Sequence, residues 1–235
     1  MKVRIQKLIS QAGIASRREA ERFIREGRVV VNGKKVYQLG TKVDPEKDTV
    51  KVDNKLVSLS KRIYILLHKP KRYITSAHDP LGRPVVMDIL PELGTKVFPV
   101  GRLDYDAEGL VLLTNDGDLA QKLQHPKYQV PRTYMVKVKG IPTLKDLSPL
   151  TKGIKLEDGV TLPAKIKKLK ESENNSWVEI TVREGRTHLV KRMFARIGYP
   201  VLKLIRIGFD GLKLNNLPPG QFRFLRQEEV AKLKH

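Results

Sequence analysis

Gly101-Arg102-Leu103-Asp104-Tyr105-Asp106-Ala107-Glu108-Gly109 runs straight into Leu110-Val111-Leu112-Leu113-Thr114, and Asn115-Asp116-Gly117 closes the stretch. The middle segment is a short apolar run bounded by glycine and turn residues, the pattern of a strand buried on both faces. Asn-Asp-Gly is turn chemistry. The first segment carries Arg102, Asp104, Asp106 and Glu108 between two glycines. It is therefore a charged loop that enters the core of a sheet domain. Three carboxylates in such a place are costly unless they are paired, hydrated or used. Asp106 and Glu108 can simply cap turns in water, or the loop can hold a reacting group.

Outward from this loop, the surrounding chain is rich in strands. Residues 63–67 read as a buried strand and 68–72 as a basic loop, with Lys69 and Arg72 at a surface. Residues 85–90 suggest a short helix, 96–100 a strand leading into the charged loop, and 118–124 a short helix. Thr133-Tyr134-Met135-Val136-Lys137-Val138-Lys139 alternates with period two, as does 177–182. A helix is expected at 144–150, and two short strands over 154–169 with a turn at Asp158-Gly159. Leu189, Val190, Met193, Phe194 and Ile197 form a helical stripe. Residues 201–207 and 222–225 read as strands, and 228–233 as a last helix. This predicts an α+β domain over 63–235 around a mixed or antiparallel sheet. No glycine-rich dinucleotide or P-loop motif occurs, so neither a dinucleotide enzyme nor a P-loop NTPase is supported.

Residues 1–60 read as a separate small module. Val3, Ile5, Leu8, Ile9 and Ala12 give one helical stripe, ended by Gly13. Ser16-Arg17-Arg18-Glu19 is a capping box that starts a second helix. Residues 29–31, the turn Asn32-Gly33, and Val36-Tyr37 predict a hairpin. A further hairpin is expected around Asp53-Asn54, with a linker at 58–62. Arg17, Arg18, Arg22, Arg25, Arg28 and Lys34 give this module a run of one sign, which suits phosphate contacts better than a merely solvated face.

The composition agrees. Against 46 Lys+Arg stand 25 Asp+Glu, a net charge of +21 over 235 residues. Such a surplus points to a polyanion, nucleic acid before membrane. No apolar run is long enough to span a bilayer, and the N-terminus has no secretory pattern. The absence of cysteine excludes disulfides, thiolate metal sites and thiol nucleophiles, and fits a cytosolic protein.

Two chemistries compete for the charged loop. Asp104-x-Asp106-x-Glu108-Gly109 mimics the start of a calcium loop, but Asn115 falls where a bidentate Glu is required. Five scattered histidines with no H-E-x-x-H give no metal-hydrolase pattern. No metal is expected. An aspartate at the rim of a sheet can instead be a nucleophile. It must stay ionised, and burial raises its pKa unless a cation sits close by. Arg102 is one candidate; others lie in Arg183-Glu184-Gly185-Arg186-Thr187-His188-Leu189-Val190-Lys191-Arg192, where Lys191 or Arg192 borders the buried face of a helix.

The stretch Gly-Arg-Leu-Asp-x-x-x-x-Gly-Leu-Val-x-Leu-Thr-Asn-Asp-Gly resembles the signature of bacterial ribosomal RNA pseudouridine synthases. Ala12-Gly13-Ile14-Ala15-Ser16-Arg17-Arg18-Glu19, with Gly27-Arg28-Val29-x-Val31-Asn32-Gly33, is similar to the S4-type RNA-binding module that one branch of that family carries. The resemblance spans about residues 3–229. It implies that a uridine's N-glycosidic bond is broken and the base rejoined through carbon 5, with no cofactor, after the base has left its helix. It implies Asp104 as the attacking carboxylate and Arg102 as an aid to base extrusion. In Thr133-Tyr134-x-Val136-x-Val138 it implies that Tyr134 stacks on the base and takes a proton. In Gly185-Arg186-x-x-x-Val190-Lys191-Arg192-Met193 it implies that Lys191 pairs with the aspartate. In Val201-Leu202-x-Leu204-x-Arg206 it implies that Leu204 closes the pocket. Relatives usually have Gln where Leu189 stands, often Arg for Lys191, and glycine for Asp210.

The expected partner is ribosomal RNA or an assembling ribosomal particle, met by a cytoplasmic monomer. Lys69, Arg72, Arg186 and Arg192 join the arginines of the first module as expected RNA contacts. Residues 175–185 and Leu156-Glu157-Asp158-Gly159 resemble the large-subunit branch more than the small-subunit one. The competing readings are a non-catalytic RNA-binding assembly factor, and a synthase acting on small-subunit rRNA or tRNA. A pure binder has no need for Asp104, Tyr134 and a nearby cation together.

Overall fold

The computed structural model describes residues 2–234, apart from the side chain of Lys168. The chain forms two compact units. One comprises Met1–Ile63, Glu92–Val97 and Asn115–Gly117, and the other Tyr64–Pro91, Phe98–Thr114 and Asp118–His235.

In the first unit, β1 (Val3–Arg4) leads into α1 (Ile5–Gln11) and α2 (Arg17–Arg25). The Ser16 hydroxyl accepts from the Glu19 amide at 3.2 Å, and the Glu19 carboxylate accepts from the Ser16 amide at 3.4 Å. Such a capping box contributes about 1 kcal/mol. β2 (Val29–Val31) and β3 (Lys34–Lys35) follow, then β4 (Lys42–Val43), β5 (Val50–Val52) and β6 (Lys55–Leu56). They form a sheet in the order β3-β2-β5-β6, while β4 pairs with β1. Both hairpin turns, Asn32-Gly33 and Asp53-Asn54, have positive φ at both central residues, which fits the twist of the strands. Ile5, Leu8, Ile9, Ala20, Phe23 and Ile24 close one core with Val29, Val43, Val50 and Val52. One local expectation shifts. Val3 starts a strand paired with Val43 instead of a helix. The first hairpin pairs through Lys34–Lys35, and Val36 N donates to Val29 O at 2.9 Å.

The second unit is α+β. β7 (Tyr64–Lys69), β8 (Phe98–Pro99) and β9 (Glu108–Thr114) precede α3 (Gly117–Gln124) and β10 (Arg132–Lys139). Next come α4 (Leu144–Lys152) and a small ribbon of β11 (Lys155–Leu156) and β12 (Gly159–Val160). β13 (Lys165–Ser172), β14 (Asn175–Val182) and α5 (Leu189–Arg196) lead to β15 (Val201–Phe209). β16 (Leu212–Lys213), β17 (Phe222–Phe224) and α6 (Gln227–Lys234) complete it. The sheet runs β13-β14-β10-β15-β9-β7-β17, with β8 on β9 and β16 on β15.

Every neighbour in this sheet is antiparallel except one. β15 and β9 run parallel, Ile205 opposite Glu108 and Arg206 opposite Gly109. Leu110, Val111, Leu112 and Leu113 are wholly buried there. Each such side chain contributes roughly 1.5–3 kcal/mol, so β9 is a firm anchor for the loop in front of it. Gly109 has φ +120°, and a Cβ at this position would collide with the Arg206 carbonyl. Only glycine lets the two backbones approach so closely.

Candidate active site

The loop 101–107 is held from beneath by the end of β7 and the segment after it. The Thr75 hydroxyl donates to Leu103 O at 2.9 Å and accepts from Leu103 N at 3.1 Å. Arg72 N donates to Tyr105 O at 2.7 Å. Lys69 Nζ donates to Ala107 O at 2.7 Å and to Pro70 O at 3.0 Å. The strand β7 thus continues through His68 and Lys69, where the sequence suggests a basic surface loop, and Lys69 is fully buried. Two carbonyls take the place of water around its ammonium, so it is no phosphate contact. Burial pushes the Lys69 pKa down to about 8, against the pull of Asp104, Asp106 and Glu108. Sequence reading missed Thr75 and misread Lys69, because neither sits in a motif of its own.

Asp104 emerges from this platform with its side chain about a quarter exposed. Lys191, in the first turn of α5, places Nζ 3.1 Å from Asp104 Oδ2. The same ammonium lies 2.6 and 2.9 Å from the two oxygens of Asp106. Burial opposes the charge on Lys191, yet the hydrogen bonds to Asp106 and Asp104 outweigh it and the net pKa shift is upward. That same hydrogen bond from Lys191 lowers the pKa of Asp106. His188, in the left-handed conformation at φ +52°, puts Nε2 3.4 Å from Asp104 Oδ1. The aspartate is therefore bracketed by a firm cation on one oxygen and an imidazole on the other. Glu108, the third acid of the loop, is paired with Lys203 at 2.6 Å.

Behind Asp104 lies a cavity of about 340 Å³, lined among others by Arg102, Tyr134, Leu204 and Arg206. Tyr134 is 9% exposed and Leu204 6%, and adjacent strands place them there: Tyr134 pairs with Arg206, and Val136 with Leu204. Arg102 is exposed at its rim. The volume is at the lower end for small-molecule sites, fitting one nucleoside rather than a duplex. Among the described residues no cluster of three or more His, Cys, Asp or Glu could hold a metal.

The expected RNA contacts divide. Arg17, Arg18, Arg22, Arg25 and Lys34 are exposed, as is Arg72. Arg28 is engaged within the module: its guanidinium donates from Nε to Asp53 at 2.9 Å and stacks 4.0 Å from the Phe23 ring centroid. Arg186 donates to Glu184, to Asp158 and to the carbonyls of Gly159 and Val160, and Arg192 donates to Asp158 at 2.8 Å. Those two arginines tie the loop before α5, and α5 itself, to the β11–β12 ribbon, which leaves them little capacity for phosphate. His188, Arg132 and Arg206 are neighbours of the site that only folding reveals, as is the grip of Lys191 on Asp106.

The RNA pseudouridylate synthase family model matches residues 63–196, and the S4 domain model matches residues 3–50. The chain belongs to the RNA pseudouridine synthase family. It is 47% identical to an uncharacterized RNA pseudouridine synthase of Aquifex aeolicus, over 99% of this chain and 94% of that protein. It is 46% identical to ribosomal large subunit pseudouridine synthase B of Bacillus subtilis, over 98% of this chain and 95% of that one. A crystal structure of a pseudouridylate synthase superposes with a TM-score of 0.70 at 31% identity, covering 98% of this chain and 99% of that chain. This pseudouridine synthase is thus an isomerase with an S4 domain at its N-terminus, and none of its helices among the described residues is long and apolar enough to cross a membrane.

Proposed function

We propose that this synthase converts one uridine of large-subunit ribosomal RNA to pseudouridine, with Asp104 as the attacking carboxylate. The observation that carries this reading is the placement of Asp104: paired with Lys191, held by a rigid loop, and open to a cavity that ends on Tyr134 and Leu204. The relative named as a large-subunit enzyme, nearly half identical along the whole chain, supports the choice of RNA.

The uridine leaves its helix and its base enters the cavity. Asp104 attacks the sugar or the base and the N1–C1′ bond breaks, its electron pair staying with the ring. The ring turns and C5 bonds to C1′, the bond to Asp104 breaks and returns its carboxylate, the C5 proton leaves and N1 gains one. Substrate and product are isomers, so no electron donor or acceptor is consumed. Tyr134 stacks on the base and takes the C5 proton; Leu204 closes the pocket; Lys191 pairs with Asp104; Arg102 at the rim assists extrusion. The exposed arginines of α2 hold flanking phosphates.

The test uses rRNA from cells lacking this protein, mapped for pseudouridine by carbodiimide labelling and primer extension. The cells are complemented with wild type or with Asp104→Asn. One pseudouridine in large-subunit rRNA should vanish, and only wild type should restore it. Restoration by Asp104→Asn would remove Asp104 from the chemistry. A site lost from small-subunit rRNA or tRNA instead would correct the substrate.

A further inference from the structure

Arg206 is a buried charge for which the arrangement above has no use. It sits in β15 two residues after Leu204, at the parallel seam, and only 2% of it is exposed. Its Nε donates to Leu110 O at 2.7 Å, and its guanidinium lies 5.3 Å from the Phe209 ring centroid. Nη2 is buried with no hydrogen-bond partner. Among the described residues no carboxylate lies within ion-pair distance of it. Two cations lie near it: its field adds to the burial that lowers the pKa of both Lys69 and Arg132. A buried guanidinium with no carboxylate on it and a donor left unmade is costly. Few native structures keep such a group unless something else supplies the acceptor. Arg206 lines the same cavity as Asp104, Tyr134 and Leu204.

We propose that Nη2 of Arg206 donates a hydrogen bond to a carbonyl oxygen of the target uracil and holds the negative charge that the ring takes up when its N1–C1′ bond breaks. This rests on the reading of function above. The pair from the broken bond spreads over the ring onto its carbonyl oxygens, whichever atom Asp104 attacks. Arg206 serves here as a hydrogen-bond donor and not as an acid. The bond from Nε to Leu110 O fixes the plane of the group, so a donor aimed at the ring needs no reorganisation as charge develops. Lysine has one point charge where arginine has a fork, and cannot serve Leu110 O and the base together in that geometry.

The experiment is single-turnover kinetics with enzyme in excess over an RNA that contains the mapped uridine. Wild type, Asp104→Asn, Arg206→Gln and Arg206→Lys are compared, on that RNA and on versions with 2-thiouridine or 4-thiouridine at the target. Sulfur accepts hydrogen bonds poorly. Arg206→Gln should slow the bound step by about 100- to 1000-fold while RNA affinity stays within about threefold. In wild type, one of the two thio substitutions should slow the reaction, and in Arg206→Gln that same substitution should add little. A variant rate within about threefold of wild type, or a thio effect of equal size in both proteins, would overturn the assignment and leave Arg206 a structural residue. If Arg206→Gln melts well below wild type, Arg206→Lys carries the same comparison. Loss of activity in Asp104→Asn with none in Arg206→Gln sinks only the Arg206 proposal; a wild type with no activity on any RNA sinks both.

Discussion

Lys69 shows how a single side chain serves the site without touching a substrate. It ties Ala107 O to the end of β7, and its charge faces Asp104, Asp106 and Glu108 from below. Burial brings its pKa to about 8. Between that value and the ordinary lysine range, the unfolded chain holds a proton that the folded chain has released. The burial penalty on folding is therefore full below about 8 and eases as pH rises. Activity runs the other way, since neutral Lys69 no longer sets a positive charge beneath the loop that carries Asp104 and holds Ala107 O less firmly. The single-turnover rate should fall above about pH 8. Lys69→Met should be slower by about tenfold or more and should lack that alkaline limb, read from a pH–rate profile beside a melting curve. A variant with an unchanged profile would leave Lys69 a purely structural residue. Little of this was legible beforehand. A lysine within the basic run His68-Lys69-Pro70-Lys71-Arg72 looks like surface, and only the carbonyl of Ala107, 38 residues on, takes it inside.

At the scale of elements, the parallel seam between β15 and β9 decides where the site lies. Gly109→Ala puts a Cβ against the backbone of Arg206, which cannot swing aside as a side chain would, and at φ +120°. The expected destabilisation is about 3 kcal/mol or more, with the urea midpoint as the measure. A second element depends on pH. The Arg223 guanidinium grips Glu229 through two bonds of 2.7 Å, pinning the start of α6 to β17. That pair holds the Glu229 pKa at about 2. Its stabilisation is present above the ordinary glutamate range and is lost as pH falls toward about 2. Glu229→Gln should melt lower than wild type at pH 6, and the gap should shrink in acid. A gap independent of pH would mean that the pair is not the source.

For the whole molecule the governing quantity is charge, +21 in 235 residues. Arg17, Arg18 and Arg25 are exposed on α2, in the unit that matches the S4 domain. Replacing all three by Ala should weaken RNA binding. The slope of log affinity against log salt should fall by about 0.7–0.9 for each phosphate no longer neutralised. The rate at saturating RNA should stay that of wild type. A fall in that rate with an unchanged salt slope would place these arginines away from the RNA. Arg28 is the internal control: its pairing with Asp53 and its stack on Phe23 make Arg28→Ala a stability variant first, read by melting temperature.

What the sequence by itself determined is local. The capping box at Ser16 and Glu19, the turns at Asn32-Gly33 and Asp53-Asn54, the buried run of β9 and the alternation of β10 and β14 follow from near-neighbour sterics and period. The α+β class, the RNA partner and the motif around Asp104 were readable from pattern, charge and resemblance. Beyond the pairing of Lys191 with Asp104, which the resemblance implied, tertiary structure decided which charges meet. Lys191 reaches Asp106 across 85 residues and shares itself with Asp104; Arg192, its neighbour, turns away to Asp158. Lys69 went inside, Arg28 folded back onto Asp53 and Phe23, and Nη2 of Arg206 was left without a partner. A charged side chain is stable wherever its partners are. Those partners come from strands and loops distant in sequence, so its place is set by the packing of the sheet and not by the residues beside it.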